Sequence, residues 1–336
     1  MLGPISNEKF IFSDHYLICK SCQRNSTSGI GRNLLPKMVL MIIFFVDQNY
    51  KKTILSDILN VEKIKAVDKP IEVANGLPNE CYINKEYNAY EKDKVFCDNW
   101  TAIGVGSSIP NPGDAKPYNL LGIPLVLIRD KNMEVRVFHN VCSHRGFKLL
   151  NKSCTLKNVL RCPYHSWSYD FSGNLIATPH IGGLNKHQSE KFDKSKSNLK
   201  QIKSKIWMDI IFVNINSNAI NFEEYIKPLE QRWSKFLNKK DQGLIVHSDD
   251  YGYFNLDVNC NWKFAIENYC ESYHLPTIHP ELNKVSNIND HYHIQGLPNR
   301  FAGQGSKKYE QTINGNKKFN IFPNWDKNMV KNSEYI

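Results

Sequence analysis

No segment of this 336-residue chain stays apolar long enough to cross a membrane. The longest apolar run, Met38 to Val46, has nine residues, against the ~20 that a transmembrane helix needs. It starts too far in, behind Glu8 and Asp14, to be a signal peptide. It reads as a buried strand or as the product of an upstream start codon, with Met38 and Met41 as alternative starts. A disulfide framework is also lacking. The nine cysteines are unevenly placed, and Cys142, Cys154, Cys162 and Cys260 fall in or near segments rich in His and aromatics. That usage suits a reducing compartment and metal ligation, so a cytoplasmic location is expected. The net charge is +10, yet no Arg-rich or aromatic-interleaved basic stripe accompanies it. The Lys excess therefore reads as a solvated surface, and neither a nucleic-acid nor a membrane partner is expected. The lone Cys19-x-x-Cys22 has no second pair nearby, which argues against zinc there. Internal repeats are absent.

What is present is ample core. Hydrophobic residues make up 41% and aromatics 12%, which excludes global disorder, and the length fits two domains. Residues 1–75 are an unpatterned extension. Asn84 to Cys97 reads as a charged helix with Tyr87, Tyr90, Val95 and Phe96 as its apolar positions. Strand signals follow: Leu125 to Ile128, a turn over Asp130 to Met133, then Glu134 to His139 alternating with period two. Ser168 to Phe171 and Leu175-Ile176 flank the turn Ser172-Gly173-Asn174 as a hairpin, and Ile206 to Ile215 reads as one buried strand. Lys186 to Lys205 is a polar surface loop. Asn221 to Leu237 is helical, with Phe222, Tyr225, Ile226, Leu229, Trp233 and Phe236 on one stripe. The expected division is 76–217 for a strand-rich domain with its leading helix and 218–336 for a second domain.

Two constellations carry chemistry. Cys142-Ser-His144 and Cys162-Pro-Tyr-His165 place a thiolate and an imidazole on each of two similar loops at predicted strand ends. A Rieske [2Fe–2S] cluster needs this set: two thiolates hold one iron, and two neutral imidazoles hold the other and raise the potential. A structural zinc site uses the same residue types but groups Cys with Cys and His with His. Further on, Glu267, Glu271 and His274 are spaced to share a helix face. Pro276 then breaks the helix, so that His279 can swing back towards His274. Two His with a carboxylate and open positions suit a mononuclear Fe(II) site.

Cys142-Ser-His144-Arg145-Gly146 with Cys162-Pro-Tyr-His165-Ser-Trp167 resembles the Rieske motif of ring-hydroxylating oxygenase large (alpha) subunits. Phe96 to Trp100, Pro112-Gly113-Asp114, Gly122-Ile123-Pro124 and Asn140-Val141 are similar too, and the resemblance runs from about Leu77 onward. It implies an α+β fold, in which an all-β Rieske domain precedes an antiparallel-sheet, helix-grip catalytic domain. It implies His274 and His279 as iron ligands, and Glu271 as the acid linking His274 to His165 across a subunit boundary. A reductase or ferredoxin would supply electrons from NAD(P)H, and O2 would serve to hydroxylate or demethylate a small organic substrate. A homotrimer is implied, and part of the Lys excess could attract an acidic electron donor. Glu at 271, where the ring-hydroxylating branch usually has Asp, is more similar to the branch acting on quaternary or methylated amines such as carnitine. The family's third ligand, a carboxylate, lies well beyond the His pair. Of Glu281, Asp290, Glu310, Asp326 and Glu334, Asp326 is the least poor substitute, and C-terminal truncation is the expectation. The alternatives are a Rieske electron-transfer or inactive fragment and a zinc-stabilised binding module.

Overall fold

The computed structural model describes residues 9–13, 61–70, 72–236, 239–247, 253–297, 300–308, 312–313, 317–318 and 333–336. Cys19, Cys22, the Met38–Val46 run, Glu310 and Asp326 lie outside the described residues. Of the 1–75 extension, strand β1 (Lys9–Ser13) pairs antiparallel with a strand at Tyr253–Asp257. Among the described residues no helix is long and apolar enough to cross a membrane.

The first half is a seven-stranded antiparallel sheet. Its strands are β2 (Thr101–Val105), β3 (Asp114–Leu120), β4 (Ile123–Arg129), β5 (Val135–His139), β6 (Cys154–Thr155), β10 (Gln201–Trp207) and β11 (Ile210–Asn214), in the order β2-β11-β10-β5-β4-β3-β6. Strand β4 lies inside the sheet and is buried on both faces. Leu125 and Leu127 join Val137, Ile202 and Ile211 on one side, while Val126 and Ile128 join Phe138 on the other. Successive side chains point to opposite faces, so one run of four aliphatics seeds two cores. The second of these cores also takes in Cys142, Cys162, Trp167 and Tyr169. A small sheet of β7 (Leu160–Arg161), β8 (Ser168–Tyr169) and β9 (Leu175–Ala177) carries the second cysteine loop.

Two expectations need correction. Ile206 to Ile215 is a hairpin, because Met208 and Asp209 both adopt positive φ (50° and 62°) and turn β10 into β11. That is the two-residue turn whose twist suits paired strands, but it lacks the Asn-Gly or Gly signature that marks it in sequence. The Asp209 carboxylate accepts from the backbone N–H of Ser107 (3.3 Å) and of His247 (3.0 Å), which offsets the conformational cost. The Lys186–Lys205 loop is accordingly shorter, since β10 starts at Gln201.

The Lys85–Glu91 helix continues as a wider turn over Lys92–Cys97 and lies against the second half. The join is specific. Lys263 Nζ sits 2.6 and 2.8 Å from the two Glu91 oxygens, with side chains 2% and 1% exposed. Trp262 Nε1 donates to Glu91 at 3.2 Å. Asn261 caps the Trp262–Cys270 helix by accepting from the N–H of Lys263, and its amide donates to the Tyr82 carbonyl and to Asn88. The triplet Asn261-Trp262-Lys263 thus docks one helix onto another. Beyond it come short helices at Leu275–Ile278 and Pro280–Val285 and a sheet of His291–Leu297, Phe301–Ser306 and Ser333–Tyr335. Removing one partner of a buried pair strands a charge at a cost of about 3–5 kcal/mol, whereas replacing both by apolar groups is often neutral. Lys263→Met should therefore lower unfolding free energy by that order, and adding Glu91→Leu should restore most of it. Denaturant titration of the two variants checks this, and equal losses in both would contradict the assignment.

Candidate metal centres

The two cysteine loops are built alike. The N–H of Cys142 donates to the Phe147 carbonyl (2.8 Å) and Gly146 N–H returns to Cys142 O (2.9 Å). Cys162 N–H likewise donates to Trp167 O (2.8 Å), and Ser166 N–H returns to Cys162 O (3.0 Å). Gly146 and Ser166, each four residues past its cysteine, both take the left-handed conformation, φ 70° and 58°. Gly accepts this freely, whereas Ser166 pays for it.

These loops bring the four predicted donors together in pairs. Cys142 and Cys162 are buried in the same core cluster, and the rings of His144 and His165 lie 4.7 Å apart. Two imidazoles on adjacent positions of one ion, with metal–N near 2.1 Å, have centroids roughly 4.5–5 Å apart, so the His pair has the right spacing. Among the described residues no three His, Cys, Asp or Glu side chains converge on a single point. A zinc ion needs such convergence, but a two-iron cluster does not, because its thiolates and imidazoles hold different irons. The donor set therefore fits the cluster. Both cysteines are buried in the apolar core. Burial first, then His165 and Arg145, hold His144 below the usual imidazole range, which favours the neutral ligand form. Tyr169 was not singled out from sequence. Its hydroxyl lies 3.2 Å from Cys142 Sγ and 2.8 Å from Ser143 Oγ.

The second constellation departs from its expected geometry yet arrives at the expected pairing. The Trp262–Cys270 helix ends before Glu271, which is extended (φ −125°, ψ 156°). Glu267 thus does not share a face with His274. It accepts a hydrogen bond from Tyr82 Oη at 2.6 Å, and burial raises its pKa. Pro276 does not end a helix either. It stands in the first turn of Leu275–Ile278, and Pro280 does the same in Pro280–Val285, leaving His279 at the joint with φ −129° and ψ 60°. The outcome is that the rings of His274 and His279 lie 5.3 Å apart at 76°. Glu271 accepts from His274 Nδ1 and from the backbone N–H of Tyr273 and of His274. A carboxylate can only accept here, so Nδ1 carries the proton and the Nε2 lone pair is left for a metal. Gln304 donates to the carbonyls of Tyr269 (2.7 Å) and Glu271 (3.3 Å), bracing this turn. Burial first, then His274, depresses the His279 pKa. The pair fits a ligated ion. Of the later acids, Glu281 pairs with Lys284, Asp290 with Lys308, and Glu334 with Arg232 and Lys235.

Residues 99–188 match the Rieske [2Fe-2S] domain, and residues 247–333 match the ring hydroxylating alpha subunit (catalytic domain). The chain belongs to the Rieske oxygenase alpha subunits. The carnitine monooxygenase oxygenase subunit of Acinetobacter pittii (strain PHEA-2) is 30% identical over 223 residues, 66% of this chain and 57% of that protein. Benzene 1,2-dioxygenase subunit alpha of Pseudomonas putida is 29% identical over 210 residues, covering 61% and 44%. The crystal structure of the quaternary ammonium Rieske monooxygenase CntA with inhibitor MMV12 superposes with TM-score 0.58 at 28% identity, over 68% of this chain and 61% of that one. Naphthalene 1,2-dioxygenase from Rhodococcus sp. shares the fold, with TM-score 0.51 and 23% identity over 63% and 49%. The chain spans little more than half the length of these carnitine monooxygenase subunits. The Rieske [2Fe-2S] domain and the oxygenase catalytic domain imply a Rieske cluster and a mononuclear iron as cofactors.

Hydrogen bonds to cluster sulfurs tune reduction potential. The Tyr169 hydroxyl favours negative charge on Cys142 Sγ, and the reduced cluster carries more of it. Tyr169→Phe should lower the potential by on the order of tens of millivolts, where 59 mV is a tenfold change for one electron. Redox titration of the visible spectrum measures this, and an unchanged or raised potential would contradict it.

Proposed function

We propose that this alpha subunit is the terminal component of a Rieske monooxygenase that takes electrons from a reductase or ferredoxin and uses O2 to oxidise a small quaternary or methylated amine. The observation that carries the reading is the coexistence in one chain of the paired Cys–His loops and the His274/His279 pair with Glu271 on Nδ1. Cys142 and Cys162 hold one iron of the cluster, and His144 and His165 hold the other. His274 and His279 hold the mononuclear iron. When bound, the cluster supplies single electrons and the iron supplies O2 activation.

Glu271 fixes the tautomer and the orientation of His274. Its remaining acceptor capacity faces outward, since its side chain is 24% exposed, which suits a second contact with His165 of a neighbouring copy in a homotrimer. Inter-subunit electron transfer in a quaternary ammonium Rieske monooxygenase of similar structure supports the same arrangement here. The amine preference rests on Glu at position 271 and on similarity to carnitine monooxygenase subunits and to the choline monooxygenase of Arabidopsis thaliana. A second reading, a Rieske electron carrier without oxygenase activity, is favoured by one observation: among the described residues no third carboxylate joins the His pair.

Iron, zinc and acid-labile sulfide on anaerobically purified protein separate the two readings. About three irons and two sulfides per chain support the oxygenase, and about two of each support the carrier. Zinc without sulfide overturns both. Where three irons bind, Glu271→Gln should keep them while slowing NAD(P)H-driven oxidation of carnitine or choline by roughly tenfold or more, the usual size of such outer-shell losses. Undiminished turnover removes Glu271 from its linking role, and faster oxidation of benzene than of either amine contradicts the substrate class.

A further inference from the structure

Nearly all of the +10 net charge sits on one short stretch. Residues 140–205 hold twelve Lys and Arg against three Asp and Glu, a net of +9, and no acid occurs between Asn140 and Tyr169. This stretch comprises both cysteine loops and the strap of residues 178–200 that packs on them. Leu199 is buried in the same core as Cys142 and Cys162, with Ile181 and Phe192 against it. Ser143 Oγ, in the first loop, donates to the Ser197 carbonyl at 2.5 Å. Phe192 meets Trp167 edge-on at 5.4 Å, and Trp167 stacks on His144 at 4.6 Å. The strap is thus one aromatic contact away from a ligand ring. Lys191, Lys196 and Lys200 are exposed and Lys194 is half-buried, while Asp193 lies 3.8 Å from Lys196.

The two imidazoles consequently have different surroundings. His144 is backed by Trp167 and the strap. His165 lies against Tyr164 (centroids 3.7 Å), which is 56% exposed and 5.5 Å from Phe147. We propose that the lysine strap is the docking face for an acidic, ferredoxin-type one-electron donor, on the His144 side of the cluster. The Tyr164–His165 side is left for the partner subunit's catalytic centre. This inference rests on the oxygenase reading above and adds where the donor binds. A second copy is a poor occupant, because residues 218–336 carry fourteen charges of each sign and present no net negative charge. Transfer is of one electron: the donor's cluster is oxidised, the Rieske cluster is reduced, and no bond is made or broken. It is downhill, because imidazole ligation places a Rieske centre above a plant-type ferredoxin in potential. Complementary charge of this kind raises on-rates by about 10–10³ at low salt and is lost with screening.

The test is stopped-flow reduction of the cluster-loaded full chain by reduced plant-type [2Fe–2S] ferredoxin as the acidic probe, across a salt series. The strap variant is Lys191→Glu/Lys194→Glu/Lys196→Glu. The control, Lys227→Glu/Lys240→Glu/Lys284→Glu, makes the same charge change among exposed lysines outside the stretch. Wild type and control should react at similar rates that fall steeply with salt. The strap variant should be about tenfold slower or more at low salt and nearly salt-independent, yet be reduced by dithionite to the same extent, which shows an intact cluster. A strap variant as fast as wild type, or a control slowed as much, overturns the docking face. A wild-type protein with no reducible cluster overturns the oxygenase reading instead.

Discussion

One buried ion pair, Glu91 with Lys263, joins the two halves of the described structure. Neither charge reaches solvent, and each is satisfied by the other with help from Trp262. The rings of Tyr82, Tyr87 and Trp262 stand about the ammonium at 5.5, 5.5 and 5.0 Å. Such a pair adds little to stability compared with apolar packing, but it is intolerant of misregistry, because a shifted helix would leave a charge unpaired in the interior. It therefore fixes where the Trp262–Cys270 helix begins and, nine residues of helix later, where Glu271 emerges. The position of the His274/His279 pair follows from that.

The Rieske half obeys a different constraint. Two thiolates and two imidazoles must converge from separate loops, and the hydrogen-bond pattern repeated at Cys142 and Cys162 shows how. Each loop closes on its own cysteine backbone, so the side chains are aimed by local geometry while the thiols are anchored in the core beneath the sheet. The imidazoles stay at the rim, where His144 stacks on Trp167, itself in contact with Phe192 of the strap, and His165 lies against the exposed Tyr164. Buried sulfur and accessible nitrogen suit a centre that must exchange electrons with two partners.

How much was legible in the sequence depended on range. Cys142, His144, Cys162, His165, His274 and His279 belong to short motifs whose spacing is set by local turns, and the structure brings His144 to His165 and His274 to His279. The β4–β5 and β8–β9 hairpins were legible for the same reason. What stayed hidden was long-range. Nothing near Glu91 announces a partner 172 residues away, Tyr82 gives no sign of Glu267, and Gln304 braces Glu271 from a later strand. Helical periodicity placed Glu267 beside Glu271, but tertiary packing ended the helix between them. The Met208–Asp209 turn has no local signature, because its left-handed residues are stabilised by distant backbone contacts to the Asp209 carboxylate rather than by intrinsic preference.

The central claim is that two loops of this chain hold a cluster through two imidazoles as well as two thiolates. Pulsed EPR of the dithionite-reduced, ¹⁵N-histidine-labelled protein tests it directly. Strong couplings to two histidine nitrogens, with one lost in each of His144→Cys and His165→Cys, are the predicted result. A spectrum without strong nitrogen coupling, or no cluster signal at all, would contradict it.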